Sequence, residues 1–235
     1  MVNHIITAEN QFLIYHNKLI GLLINTKWHF IVWKHVTDAK KEYLEEMNAA
    51  PSFFNLTLNS HYLATLVSLN IFFDKAEGKL SMYRFLDFLK ENVDIFSNKA
   101  YKNRLIEKGI YSNRSMKDRR IVTLETMEHD TTLIRDLPAG NIKKWRNEAL
   151  AHIGENYILK NIDLSKNYPI KRKHIDSIIS TLATILNRYS LAYNARKFEI
   201  DIPEIERHAQ YILDAIRIEV QNRRKNLKDL FGSTI

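Results

Sequence analysis

The sequence predicts an all-α fold, a helical bundle of about six to eight helices in a single domain over residues 1–235. Three observations carry this expectation. Apolar residues recur at three-to-four spacing over long runs, as on a helix face, and the alternation of a half-buried strand is almost absent. Six glycines and four prolines in 235 residues leave little chain for long loops. Hydrophobic residues make up 45% of the chain, which at this length is ample for a packed core.

Taken in order, Thr7 can cap a helix entering at Ala8, and Phe12, Tyr15, Leu19 and Leu22 keep one face. The period continues through Trp28, Ile31, Val32 and Val36 to about Met47, as one long helix or as two with a kink near Asn25. Pro51 and Ser52 punctuate, and a second helix covers Phe54 to Ala76, ending near Gly78. Ser81 caps a third, with Tyr83, Phe85, Leu86 and Leu89 as core candidates, and Ser97 to Lys108 forms a fourth ahead of Gly109. Tyr111 to Arg120 is polar and basic, a loop suited to meeting nucleic acid through Arg119 and Arg120. A further helix spans Val122 to Leu137. Glu155 to Pro169 reads as irregular, with a short extended piece at Tyr157 to Leu159. Lys171 to Tyr193 is a helix whose apolar face is Ile175, Ile178, Ile179, Leu182, Ile185 and Leu186. Asp201 and Pro203 open the last helix, with Ile205, Ile212, Ile216 and Val220 inward and a basic end at about 221–235.

Composition removes several classes of function. The chain has no cysteine, so disulfides, thiolate chemistry and Cys-ligated zinc are excluded. No basic n-region precedes an apolar core at the N-terminus, and Leu19 to Trp33, the most apolar stretch, is interrupted by Asn25, Lys27 and His29. A cytoplasmic protein with no membrane partner is expected. A net charge of +8 favours polyanionic partners, and Arg119-Arg120, Lys171-Arg172-Lys173 and Arg223-Arg224-Lys225 concentrate it near helix ends and connections. Glu125, Glu128, His129 and Asp130 suggest a metal at first sight. The chain nevertheless contains neither Glu-x-x-His nor His-Glu-x-x-His, and Glu125 and His129 make an ordinary i, i+4 helix pair. No metal site and no cofactor are expected. His16, His29 and His35 read as structural or surface residues.

The chemistry concentrates in Lys143-Lys144-Trp145-Arg146-Asn147-Glu148-Ala149-Leu150-Ala151-His152-Ile153-Gly154. Asn141 is the expected N-cap and Gly154 the expected left-handed stop of a short helix. Arg146 offers a fork for phosphate, and His152, in the last turn, faces unpaired carbonyls that favour its imidazolium. Such a pair can cleave RNA without a metal. Six positions apart on an ideal helix, the two are separated by about 9 Å of rise and roughly 120° of azimuth, so one copy makes a poor pincer. Trp145 adds an apolar anchor, and Ala149 and Ala151 let another helix come close. Lys143 and Lys144 join Arg119 and Arg120 as RNA-binding candidates.

This stretch resembles the Arg-x(4 to 6)-His motif of the HEPN superfamily, the higher eukaryote and prokaryote nucleotide-binding all-helical domains, many of which are metal-independent endoribonucleases. The residue after the arginine is commonly Asn, Asp or His in that family, and here it is Asn147. Leu66 to Leu89 (LVSLNIFFDKAEGKLSMYRFLDFL) resembles the middle region of the abortive-infection U-type branch. His152-Ile153-Gly154 lacks the His-x-Tyr extension of nucleotidyltransferase-paired HEPN toxins, so that subtype is not implied.

The resemblance implies a toxin or phage-defence effector that cuts cellular RNA such as tRNA or mRNA by attack of a ribose 2′-hydroxyl on the adjacent phosphate. In it His152 moves protons, Arg146 stabilises charge on the phosphoryl oxygens, and Asn147 orients the phosphate or the histidine. Glu148, four residues before His152, either holds its ring or stands as an exposed carboxylate. Also implied are a homodimer with a shared cleft and a regulatory or antitoxin partner. The alternative is a non-catalytic helical module of the same superfamily that binds RNA, nucleotides or protein.

Overall fold

The computed structural model describes residues 7–109, 111, 116, 120–150, 163–201 and 203–232. Ten α-helices follow one another among them. They are α1 (Ala8–Ala39), α2 (Leu44–Ala49), α3 (Pro51–Phe72), α4 (Met82–Glu91), α5 (Asn98–Glu107), α6 (Leu124–Asp136), α7 (Gly140–Trp145), α8 (Leu164–Asn167), α9 (Arg172–Asn194) and α10 (Pro203–Phe231). A 3-10 turn occupies Val93–Phe96 and a π-helical turn Arg146–Leu150. No strand occurs among the described residues, and the fold is all-α. Without α2, α7 and α8, each of six residues or fewer, seven helices remain. Those three are too short for an apolar period to reveal.

The chain forms two compact units, residues 1–25 with 66–200, and residues 26–65 with 201–235. The spine of the first unit is α9. Ile175, Ile178, Ile179, Leu182, Ile185 and Leu186, its apolar face by sequence, are each no more than 1% exposed. Each such side chain contributes roughly 1.5–3 kcal/mol of burial free energy. Aromatic rings fill the space beside them: Phe12 lies 4.5 Å from Tyr193, and Phe85 meets Tyr189 edge-on at 5.7 Å. The starts of α4, α5 and α6 follow from their caps. Ser81, Ser97 and Thr123 accept from the backbone N–H of Arg84, Ala100 and Thr126 at 3.2–3.3 Å, and Thr126 returns the bond in a capping box. Phe85, Leu86 and Leu89 are buried as expected, whereas Tyr83 stays half-buried beneath the ammonium of Lys75 at 4.4 Å.

Two buried charges tie this unit together. Arg104, 5% exposed, donates to the Tyr193 carbonyl at 3.0 Å, the Ile95 carbonyl at 2.7 Å and the Glu9 carboxylate at 2.5 Å. Its guanidinium also stacks on the Tyr193 ring at 4.0 Å. Asp130 is fully buried, paired with Arg188 and accepting from the Tyr189 hydroxyl at 2.8 Å. Burial, and then Asp130, push the Tyr189 phenol well above its ordinary range, so it remains a donor.

In the second unit Val36, Tyr43, Met47, Phe54 and Leu213 form the core. The first helix stops at Ala39 rather than near Met47. Glu42 and Tyr43 both turn their N–H back to the Ala39 carbonyl, which carries Tyr43 inward. There its hydroxyl bonds Asp214 at 2.5 Å and its ring carries the Arg217 guanidinium at 3.6 Å. The helix runs unbroken past Asn25, and α3 ends at Phe72, four residues short of the expected Ala76. On α10 the inward register is Ala209 and Leu213, while Ile212 is 51% exposed. The polar partners Gln210, Asp214 and Arg217 on the Tyr43 side set that register. The basic end of α10 is exposed, with Arg224 paired to Glu45 and Arg223 to Glu219.

Candidate functional site

The helix that bears Arg146 begins from a turn. Leu137, preceding Pro138, is extended, as a residue before proline should be, and the Ala139 N–H closes on the Leu137 carbonyl at 2.7 Å. Ala139 is therefore the residue from which α7 starts, and the Asn141 cap expected from sequence is not formed. Asn141 lies one residue inside the helix and donates instead to the Pro169 carbonyl at 2.9 Å. At the other end of α7 the Trp145 indole N–H donates to the Tyr168 carbonyl at 2.9 Å, and between them Ile142 is 1% exposed. Two side-chain bonds and one buried anchor thus fix a helix too short to be stable alone.

From this fixed base the backbone passes into the π-helical turn Arg146–Leu150 instead of continuing as α-helix. Arg146 keeps helical dihedrals, with its N–H shared between the Ile142 and Lys143 carbonyls. Its side chain is half-buried, and no hydrogen bond or ion pair engages it among the described residues. Asn147 is exposed beside it, Glu148 is half-buried, and Lys143 and Lys144 are exposed one turn earlier. A π-helical turn closes i to i+5 bonds, so the ideal 120° separation of Arg146 and His152 does not carry over. His152 and Gly154 lie outside the described residues, as do Arg119 and the segment Tyr157 to Leu159. Arg120 is described, exposed at the approach to α6.

What the structure brings together is a small cationic face, Lys143, Lys144 and Arg146 with the Asn147 amide, on a pinned support. An unneutralised, half-buried guanidinium of this kind can take a phosphate in a bidentate fork. Sequence reading missed the acceptors behind that support, the carbonyls of Tyr168 and Pro169, because a backbone acceptor leaves no mark in residue identity.

Of the other sequence candidates, Glu125, Glu128 and His129 are exposed, while Asp130 and three histidines have structural partners. Asp130 belongs to the Arg188–Tyr189 cluster, and no three His, Asp or Glu side chains among the described residues are placed to hold a metal together. His16 bonds the Leu186 carbonyl at 2.9 Å, His29 pairs with His61 at 2.8 Å, and His35 with Gln210 at 3.0 Å. A cavity of about 870 Å³ beside α4, lined by Lys75, Tyr83, Arg84, Asp87 and Arg135 among others, contains none of the α7 residues. Its walls mix both signs of charge.

A family model described as AbiU2, of the HEPN type (HEPN_AbiU2), matches residues 9–212. The chain belongs to that family. The AbiU2 match takes in α7, the π-helical turn and Leu66 to Leu89, the two stretches on which the HEPN resemblance rests. Membership makes this AbiU2 chain an abortive-infection-related protein. No curated protein and no solved structure matches it. No helix among the described residues is long and apolar enough to cross a membrane.

Proposed function

We propose that this AbiU2 protein is a metal-independent endoribonuclease of the cytoplasm, a triggered toxin that cuts cellular RNA such as tRNA or mRNA during abortive infection. The supporting observation is Arg146, a half-buried guanidinium with no protein counter-charge among the described residues, on a helix fixed by Trp145 and Asn141. Arg146 holds the scissile phosphate and stabilises charge as it develops on the phosphoryl oxygens. His152 moves the protons of 2′-hydroxyl attack, Asn147 orients the phosphate or the imidazole, and Glu148 is a helper to His152. Lys143, Lys144, Arg119 and Arg120 contact the RNA backbone. The working unit is a homodimer in which a twofold axis brings two copies of the Arg146 and His152 pair to one cleft, held inactive by a regulatory or antitoxin partner.

The test is cleavage of structured RNA by purified protein in the presence of EDTA. Products ending in 2′,3′-cyclic phosphate are expected. Arg146→Ala should lower the rate on the order of a hundredfold, and His152→Ala should abolish it. Activity that vanishes with the chelator and returns with a divalent ion would overturn the mechanism. Full activity of Arg146→Ala would remove the site. RNA binding without cleavage by the wild type, steeply weakened by salt, would identify a binding module instead. Heterodimers of one wild-type and one doubly substituted subunit test the shared cleft, which a monomer cleaving at full rate would rule out.

A further inference from the structure

Beyond the RNA site, the first unit holds a second cavity, in which cationic, amide, hydroxyl and imidazole groups stand among the apolar side chains Phe12, Leu13, Ile20 and Phe198. About 300 Å³ in volume, it lies between the start of α1 and the end of α9 with the segment that follows, and its lining carries no carboxylate. That volume sits at the lower end of the range of small-molecule sites.

The walls are built rather than incidental. After α9 the chain turns at Ala195, a non-glycine residue at φ 57°, whose N–H closes on the Leu191 carbonyl at 3.1 Å. The Asn194 side chain then accepts from the Arg196 N–H at 3.0 Å. Asn187 completes the fastening with two bonds to Phe198, accepting from its N–H at 2.9 Å and donating to its carbonyl at 3.1 Å. Segment 195–198 is thus held as a strap, with Arg196 and Lys197 lining the cavity and exposed to solvent. Lys197 is paired with Glu199 at 3.0 Å, whereas Arg196 has no ion-pair partner among the described residues. Lys108 lies in the field of Arg196 and Arg104. Its ammonium is held below the usual lysine range by burial first and by those two guanidinium groups next, with Glu107 opposing.

Two interior groups lack a protein partner among the described residues. Ser190 is 7% exposed, lines the cavity, and its hydroxyl meets no hydrogen-bonding partner among the described residues. A buried unmatched hydroxyl costs free energy unless water or a ligand satisfies it. His16 is 4% exposed and stacks on Phe12 at 5.1 Å. The Leu186 carbonyl can only accept, so His16 Nε2 carries the proton, and burial keeps the ring neutral. Its Nδ1 is left as an acceptor with no hydrogen-bond partner among the described residues.

We propose that this cavity binds a small phosphorylated molecule, of sugar-phosphate to mononucleotide size, with its phosphate on Arg196 and its hydroxyl or amine donors on His16 Nδ1 and Ser190. Asn17, exposed at the lining and without a protein hydrogen bond among the described residues, supplies a further polar contact. The site does not rest on the RNA-cleavage reading.

Calorimetric titration of the full chain with ribose 5-phosphate, adenosine 5′-monophosphate, adenosine and inorganic phosphate tests it. At least one phosphate ester should saturate the protein. Binding of the mononucleotide alone assigns the nucleotide class, and binding of both esters shows that a sugar phosphate suffices. Adenosine and inorganic phosphate, each missing half of the contacts, should bind about tenfold or more weakly. Arg196→Ala should weaken ester binding about tenfold, and Ser190→Ala or Asn17→Ala several-fold. Arg196 and Asn17 are exposed, so those variants retain the fold whatever Ser190→Ala does. Arg146→Ala should bind as wild type does. The proposal falls if no ester saturates at millimolar concentration, if inorganic phosphate binds as well as the esters, if Arg196→Ala changes nothing, or if Arg146→Ala removes the binding.

Discussion

Arg104 and Arg146 lie in the same compact unit, and their surroundings could hardly differ more. Arg104 is almost fully buried, with its charge and hydrogen bonds distributed over one carboxylate, two carbonyls and a tyrosine ring. Arg146 is half-buried, and nothing among the described residues engages its guanidinium. A cation whose partners are complete holds a structure, and its removal leaves those partners stranded. One placed on a rigid base with no partner is ready for an anion from outside. If that distinction is right, substitutions at the two sites should separate stability from activity.

The largest loss of stability is expected at Arg104. Arg104→Ala leaves the Ile95 and Tyr193 carbonyls without their donor inside the core, and should destabilise the protein by about 3–5 kcal/mol. Denaturant unfolding measures it, and a loss below about 1 kcal/mol would mean that water replaces the guanidinium, collapsing the contrast with Arg146.

This contrast also shows what the sequence made legible. The α9 face, the Ser81 cap and the Pro203 start could be read directly, because each is local and carried by residue type. The break at Ala39 could not, because what ends that helix is the distant pull of Asp214 and Arg217 on Tyr43, with no glycine or proline to mark it. At the candidate site Arg146 and Asn147 stood out by motif. The π-helical turn at Arg146 has no marker in residue type, and Asn141 and Trp145 bond carbonyls more than twenty residues away, at Pro169 and Tyr168. Period alone predicts Ile212 inward, and the polar contacts on the Tyr43 side of α10 turn it outward.

A second expected effect separates buried His16 and half-buried His29 and His61 from any titration at the RNA site. His16 is shifted downward by burial, with its bond to Leu186 opposing, and burial lowers His29 and His61 as well. Below about pH 6.5 the unfolded chain binds protons that these folded imidazoles refuse, so stability is full above that pH and falls as the pH drops towards their folded values. His16→Gln should flatten the acid limb of a stability-versus-pH curve by at most about 1.4 kcal/mol per pH unit. An unchanged limb would show that His16 takes a proton in the folded state.

Trp145→Phe should have a smaller effect. It keeps an aromatic side chain but deletes the pyrrole half of the indole with its bond to Tyr168, at about 1–2 kcal/mol of stability. Because that bond steadies the base of Arg146, RNA cleavage should fall further than the stability loss alone explains. Equal wild-type cleavage at a temperature where Trp145→Phe is fully folded would show that the support does not position the arginine.

The smallest change of stability belongs to Arg146 itself. A side chain with no described partner has no interaction to lose, so Arg146→Ala should move the unfolding free energy by no more than about 0.5 kcal/mol, within the range of ordinary surface substitutions. Removing an unneutralised positive charge from beside Lys143 and Lys144 acts, if anything, in the stabilising direction. Arg146→Lys should be as neutral for stability, yet it replaces a planar fork with a point charge and should recover only part of the cleavage rate. The informative result is the pair of measurements taken together. A stability change near zero with a large loss of cleavage assigns Arg146 to the phosphate. A loss of several kcal/mol would instead put Arg146 in the class of Arg104, a structural charge.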